Sequence, residues 1–255
     1  QTNSVNKSRE MTAVSWNIGY GALGSDADFF MDGGKSVDTA DKDGVNKNLK
    51  GISSELNSLN PDFILLQEVD TDAKRSSYIN EASKLQNELL NQDYQSSFAE
   101  NFKVKFIPYP IPPIGKVNAG IMTLSKSKIS ESTRVQLPCP FKWPTRIANL
   151  KRCLSINRLP IEGSDKELVI VNLHLEAYDD GEGKKAQAEM LRKYLQSEAD
   201  KGNYVIAGGD FNQTFSGTDT SIMKQFNGTW KPPVLDTNKF DKSWQFLMDT
   251  KTASC

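Results

Sequence analysis

Residues 62–68 read DFILLQE, and the apolar side chains at four consecutive positions, 63 to 66, leave a β-strand no polar face. A strand of that kind is buried on both sides, so structure must cover each face of its sheet. The segment just before it supplies one cover. In VNKNLKGISSELNSLNP, Val45, Leu49, Ile52, Leu56 and Leu59 recur at helical spacing, and Asn60-Pro61 stops the helix. The chain therefore reads as layered α/β.

The same alternation recurs downstream. Strands are expected at MTAVSWN (11–17), GIMTLS (120–125), RCLSINRL (152–159), ELVIVNLHL (167–175) and in YVIAGGDFN (204–212). RCLSINRL and ELVIVNLHL pair as a hairpin across EGSDK. Further helices are expected over 76–92, with Ile79, Ala82, Leu85 and Leu89 on one stripe, and over GKKAQAEMLRKYLQSEAD, with Ala188, Leu191, Leu195 and Ala199. No repeat or linker divides the 255 residues. One domain is expected over 11–255, preceded by a polar tail, 1–10.

Charge and cysteine content narrow the function classes. With 31 basic and 32 acidic side chains the net charge is -1, so no overall field draws the chain to nucleic acid or an anionic membrane. No apolar run approaches the roughly 18 residues of a membrane span. The start, QTNSVNKSREM, lacks the basic and apolar regions of a signal peptide and reads as a tail left after removal of an upstream segment. Two locations stay open: outside the cell or on its surface with an upstream anchor removed, or the cytoplasm. Cys139, Cys153 and Cys255 make neither a disulfide framework nor a spaced zinc site. They read as one buried thiol and two incidental ones, with a Cys139–Cys153 bridge as the alternative in an exported protein.

Four apolar strands end in polar residues: Asn17, Glu68, His174, and Asp210 with Asn212. Taken singly each has an ordinary explanation. Glu68 reads as a solvated strand end, DFN as a turn with Asx hydrogen bonds, His174 as a satisfied core residue and Asn17 as a partner for nearby backbone. Together they form a set, because strand ends of a layered α/β fold project into one crevice. That set suits a hard divalent cation and a phosphate. Mg²⁺ takes one or two carboxylates and keeps several waters, carboxamides orient a phosphate or a water, and His donates to a phosphoryl oxygen. Gly208 and Gly209 permit close backbone approach at the rim.

SWNIGYG, PDFILLQEVD, NLHLE and GGDFN, in this order, resemble the motifs of the endonuclease/exonuclease/phosphatase (DNase I-like) superfamily, from about residue 11 to residue 215. The resemblance implies a four-layer α/β sandwich of two packed mixed β-sheets flanked by helices, and metal-dependent hydrolysis of a phosphate ester at the sheet edges. It implies Glu68 as ligand of Mg²⁺ or Mn²⁺ with Asn17 beside the metal. His174 would contact the phosphate or leaving oxygen, Asp210 would orient or deprotonate the attacking water, and Asn212 would hold a phosphoryl oxygen. Family members finish with further strands and a Ser-Asp-His motif, whereas this chain has no histidine after His174. Two expectations follow: the chain is truncated, with its last strands missing and an exposed sheet edge, or the protein has lost the terminal histidine.

Substrate is less legible. NFKVKFIPYPIPPIGKVNAG (101–120) reads as an extended loop, either packed on the core or serving as a lipid-contacting flap as in the sphingomyelinase branch. Arg146, Arg152 and Asn118 are candidates for further phosphate contacts, Arg146 and Arg152 lying in a run that otherwise reads as a solvated face. The expected protein is a monomeric metal-dependent phosphodiesterase or phosphatase acting on nucleic acid, a phospholipid head group or a small molecule, with peripheral membrane contact open. The alternative is a catalytically impaired phosphate-binding or interaction protein on the same scaffold.

Overall fold

Two four-stranded mixed sheets stand at the centre of the computed structural model, which describes residues 3–89, 93–142, 149–177, 181–221 and 231–247. The first has the order β1 (Ala13–Asn17), β2 (Phe63–Asp70), β4 (Gly115–Ser125), β3 (Gln95–Ile107). The second has the order β5 (Glu131–Gln136), β6 (Cys153–Pro160), β7 (Glu167–His174), β8 (Tyr204–Asp210). β1 is parallel to β2 and β7 to β8, and the other neighbours are antiparallel. A short parallel pair, β9 (Thr214–Phe215) with β10 (Val234–Leu235), follows.

Alternation along the central strands assigns the layers. Ile64, Leu66 and Val69 of β2 pack under α1 (Lys42–Leu59) and α2 (Glu81–Glu88), against Val45, Leu49, Leu56 and Leu85. The intervening Phe63 and Leu65 face the second sheet and meet Leu168 and Ile170 of β7. The other face of β7, with Val169, Val171 and Leu173, packs on Leu191 and Leu195 of α3 (Glu182–Asp200). The result is the helix–sheet–sheet–helix sandwich that the family resemblance implies, and it covers both faces of the apolar strand, each fully buried aliphatic side chain contributing about 2 kcal/mol. Val5, in the segment read as a polar tail, is buried in the inter-sheet layer and bridges Ile161.

Capping decides where the helices sit. The Asp41 carboxylate accepts from Gly44 N at 2.8 Å to start α1, and Asn60 closes it in the left-handed conformation ahead of Pro61. The second helix is shorter than the expected 76–92. Ser77 and Tyr78 take positive φ, Asn80 caps through Ser83 N at 3.0 Å, and α2 ends at Glu88. Residues 90–92 lie outside the described residues.

The segment 101–120 is not an extended loop. Phe102 and Val104 are buried while Lys103 and Lys105 are exposed, a period-two pattern that continues β3 to Ile107, and β4 starts at Gly115. The proline cluster is confined to the turn, 108–114. Both Cys139 and Cys153 are free thiols, and burial pushes the Cys153 thiol up to about 11.

Two polar devices tie the layers. Between the sheets, the buried Gln67 Nε2 donates to Asn172 Oδ1 at 2.9 Å, and Asn172 Nδ2 donates to Met122 O at 2.9 Å and Leu66 O at 3.2 Å. On the outer face, Arg158 of β6 grips the buried Glu198 of α3 through two hydrogen bonds, 3.0 and 2.7 Å, while Lys201 and Asn203 also bind Glu198. The Arg158 hydrogen bonds hold the Glu198 carboxyl down to about 2, against an ordinary 4.5. A depressed carboxylate stabilises the fold above its unfolded pKa and loses that contribution as pH falls toward the folded value. Glu198→Gln is therefore expected to cost roughly 2–3 kcal/mol at pH 7 and much less at pH 3. Urea unfolding of both chains at the two pH values measures this; an equal cost at both would rule out the ionic origin.

Candidate active site

Register brings the polar strand ends together. Parallel pairing sets Asn17 beside Gln67, the neighbour of Glu68, and sets His174 directly across from Asp210. Glu68 does not end its strand. It lies on a bulge of β2, between Leu66 and Val69, with φ of 55°, and the bulge re-aims its side chain toward the crevice.

The two sheets meet through Asn17. Its Nδ2 donates to Glu68 Oε1 at 3.1 Å and to Asp210 Oδ2 at 2.9 Å, while its Oδ1 accepts from Gly19 N at 3.0 Å. His174 Nε2 is 3.5 Å from Asp210 Oδ2 and 4.0 Å from Glu68 Oε1. Four strands thus deliver two carboxylates, a carboxamide and an imidazole to one point.

Backbone conformation explains GGDFN. Gly209 has φ of 142°, and a Cβ there would lie 2.0 Å from Leu173 O, so no other residue fits. Asn212 also has positive φ, 50°. Its N–H donates to Asp210 Oδ1 at 2.9 Å and its Nδ2 donates to Leu175 O at 2.9 Å, which keeps one amide hydrogen of the side chain for another acceptor. The Asx turn and the site are the same structure: the turn holds Asp210 still.

Electrostatics set the state of the imidazole. His174 is buried, and burial, then the charges of Arg152 and Arg75, push its pKa well below the usual histidine value. The ring is neutral near pH 7, and its Nδ1 has no hydrogen-bond partner among the described residues. Arg152 is buried at the same end of the second sheet, its Nε 3.7 Å from Glu176 Oε2, with Nε and Nη1 unpartnered by hydrogen bonds among the described residues. Asn118 lies across from Thr71, whose N–H donates to Asn118 O at 2.8 Å. The Asn118 Oδ1 is buried without a partner among the described residues. Arg146 lies outside the described residues.

Among the described residues no group of three or more His, Cys, Asp and Glu side chains is arranged to hold a metal ion. The oxygen donors present still suit a hard cation, since Mg²⁺ needs one or two carboxylates and keeps its waters, and Glu68 and Asp210 are both partly exposed.

A family model described as the endonuclease/exonuclease/phosphatase family matches residues 14–247. The chain belongs to this family. No match to a curated protein reached significance. Among solved structures, an endonuclease/exonuclease/phosphatase from Beutenbergia cavernae superposes with a TM-score of 0.59 at 18% identity, covering 84% of this chain and 50% of that one. The human Nocturnin catalytic domain with bound sulfate gives 0.53 at 19%, covering 87% and 69%. ANGEL2, a 2',3'-cyclic phosphatase, in complex with adenosine-2',3'-vanadate gives 0.54 at 16%, covering 82% and 55%. This family member therefore spans from half to about two thirds of those chains, and at such identities the likeness is one of fold.

Sequence reasoning missed several residues that shape this candidate site in the family member. Gln67 and Asn172 each lie within two positions of a site residue, and their signal was a polar side chain inside an otherwise apolar run. Asp70, Arg75 and Glu81, which support the Glu68 bulge, carried no signal, because their meeting depends on a turn.

Proposed function

We propose that this chain hydrolyses phosphate esters with a divalent cation, Mg²⁺ or Mn²⁺, as cofactor. The observation that carries the reading is the Asn17 amide held between Glu68 and Asp210, with the buried His174 beside both. Glu68 would hold the cation with Asn17 alongside, and the bound ion would supply Lewis-acid polarisation of a phosphoryl oxygen. Asp210, fixed by Asn17 and by Asn212 N, orients and deprotonates a water. His174, neutral and buried, donates a hydrogen bond to the phosphate as charge develops, and the spare hydrogen of Asn212 Nδ2 binds a phosphoryl oxygen. Arg152, beside His174, supplies positive charge from behind the site. Asn118 and Arg146 are assigned as further phosphate contacts, a role that rests on their residue types. The test is hydrolysis of bis-(p-nitrophenyl) phosphate with Mg²⁺, with Mn²⁺ and with EDTA. Turnover that EDTA leaves untouched would sink the cation's part in this reading.

A second reading is favoured by one observation: His174 Nδ1 has no hydrogen-bond partner among the described residues to fix the tautomer of the ring. On that reading the protein binds phosphate esters without turning them over. Calorimetric binding of inorganic phosphate in the absence of any diester hydrolysis would select it.

The β3–β4 hairpin bears on the substrate class. Phe106, Tyr109 and Ile111 at its tip are 59%, 76% and 90% exposed, beside the exposed Lys103 and Lys105. Lys103 is paired with Glu100 at 3.1 Å, so Lys105 is the unpaired charge of the two among the described residues, and exposed apolar side chains beside it suit the surface of a membrane that carries anionic lipid. Co-sedimentation with phosphatidylserine vesicles is expected to fall by at least about fivefold when Tyr109 and Ile111 are both changed to Ser. Equal sedimentation of both proteins would remove lipid from the proposal.

A further inference from the structure

Asn17 and Glu68 reach the site on backbone that does not hold its shape by itself. After Asn17 the chain passes through Gly19, Tyr20 and Gly21, with φ of 52°, 42° and 60°, and Glu68 sits on its bulge at 55°. Left-handed non-glycine residues such as Tyr20 and Glu68 persist where surrounding structure over-determines them.

One side chain touches both segments. Arg75 lies on the 3₁₀ turn Lys74–Ser76, which follows β2. Its Nε donates to Asp70 Oδ2 at 3.0 Å and its Nη2 to Asp70 Oδ1 at 2.8 Å, a two-pronged grip on the residue two positions past Glu68. The same guanidinium lies 3.8 Å from the centroid of the Tyr20 ring, in the segment after Asn17. A second tie runs through α2. Glu81 Oε2 accepts from Asp70 N at 2.8 Å, and Glu81 Oε1 lies against Gly21, where a Cβ would approach within 2.9 Å of it. Ile18 N donates to Gln67 O at 3.1 Å and closes the loop.

We infer that Arg75 is a positioning residue: it clamps the segment that carries Asn17 to the bulge that carries Glu68 and so sets the distance between those two side chains, with Glu81 as the second fastening. Arginine is required because the planar guanidinium offers a fork to a carboxylate and a face to an aromatic ring at once, and an ammonium cannot do both. An ordinary ion pair that contributes to stability and nothing else would have no such requirement. The catalytic purpose of the clamp rests on the hydrolase reading above; the clamp itself does not.

The test compares the full chain with Arg75→Lys, which keeps the charge and removes the fork and the stacking. In hydrogen exchange, peptides covering 17–22 and 66–71 are expected to exchange at least about tenfold faster in the variant, both together, with α1, α3 and the second sheet unchanged. Where the wild-type chain turns over bis-(p-nitrophenyl) phosphate, kcat is expected to fall at least about tenfold with KM within about threefold. Faster exchange confined to 70–76, or spread evenly over the chain, would overturn the clamp. Coupled exchange with an unchanged kcat would overturn its positioning role. A wild-type chain without turnover would count against the hydrolase reading, while the exchange pattern would still decide the clamp.

Discussion

Asp210→Asn is expected to lower kcat for bis-(p-nitrophenyl) phosphate by about 10³-fold, with KM changed by less than about threefold. The substitution keeps the volume and removes the charge and the basic oxygen. In the wild-type chain Asp210 is held from three sides: Asn17 Nδ2 at 2.9 Å, Asn212 N at 2.9 Å and His174 Nε2 at 3.5 Å. Those contacts leave its position settled before substrate arrives, so the loss falls on the step in which a water gives up its proton and not on binding. His174 is a poor substitute as base, because it is buried and burial with the charges of Arg152 and Arg75 opposes its taking up a proton. The measurement is steady-state kinetics of the two proteins with saturating Mn²⁺, with thermal unfolding of each to show that the fold is kept. A variant within tenfold of the wild type would show that Asp210 is not the base.

Asn172→Val is expected to destabilise the fold by about 3–4 kcal/mol although it places an apolar side chain in a buried layer. Asn172 accepts from Gln67 Nε2 and donates to Met122 O and Leu66 O, all without access to water. Removing it leaves the Gln67 amide short of an acceptor and strips two carbonyl oxygens of a donor in a region where each unmet group costs about 1–3 kcal/mol. Urea unfolding at pH 7 checks the value. A loss below about 1 kcal/mol would mean that the seam repacks. The same variant bears on the site: Gln67 adjoins Glu68 and Asn172 lies two residues before His174, so the seam sets the two sheets in register close to where their strand ends meet.

The layered fold was readable because each layer leaves a periodic trace. Four apolar positions in a row at 63–66 demand cover on both faces, and the stripe of Val45, Leu49, Ile52 and Leu56 provides half of it. The boundaries of α2 were not readable, because the residues that displace its start, Ser77 and Tyr78, are held in left-handed backbone by a turn. The hairpin at 101–120 was misread for a different reason. Its prolines are conspicuous and lie in the turn, and they masked the alternation of Phe102, Lys103, Val104 and Lys105.

Local sequence marked Asn17, Glu68, His174, Asp210 and Asn212 as candidates, polar side chains at or near the ends of apolar runs, although Glu68 lies on a bulge inside its strand and not at its end. The sequence suggested only close backbone approach at Gly208 and Gly209; that Gly209 must be glycine follows from its φ of 142° and from Leu173 O on the neighbouring strand. What the chain order could not disclose is which of those side chains touch. The bond from Asn17 to Asp210 spans 193 residues, the seam from Gln67 to Asn172 spans 105, and Arg75 reaches Tyr20 across a turn. Periodicity reports which face a residue occupies within its own element; the contacts that hold Glu68 on its bulge and set the sheets in register arise between elements, and only packing in three dimensions decides them.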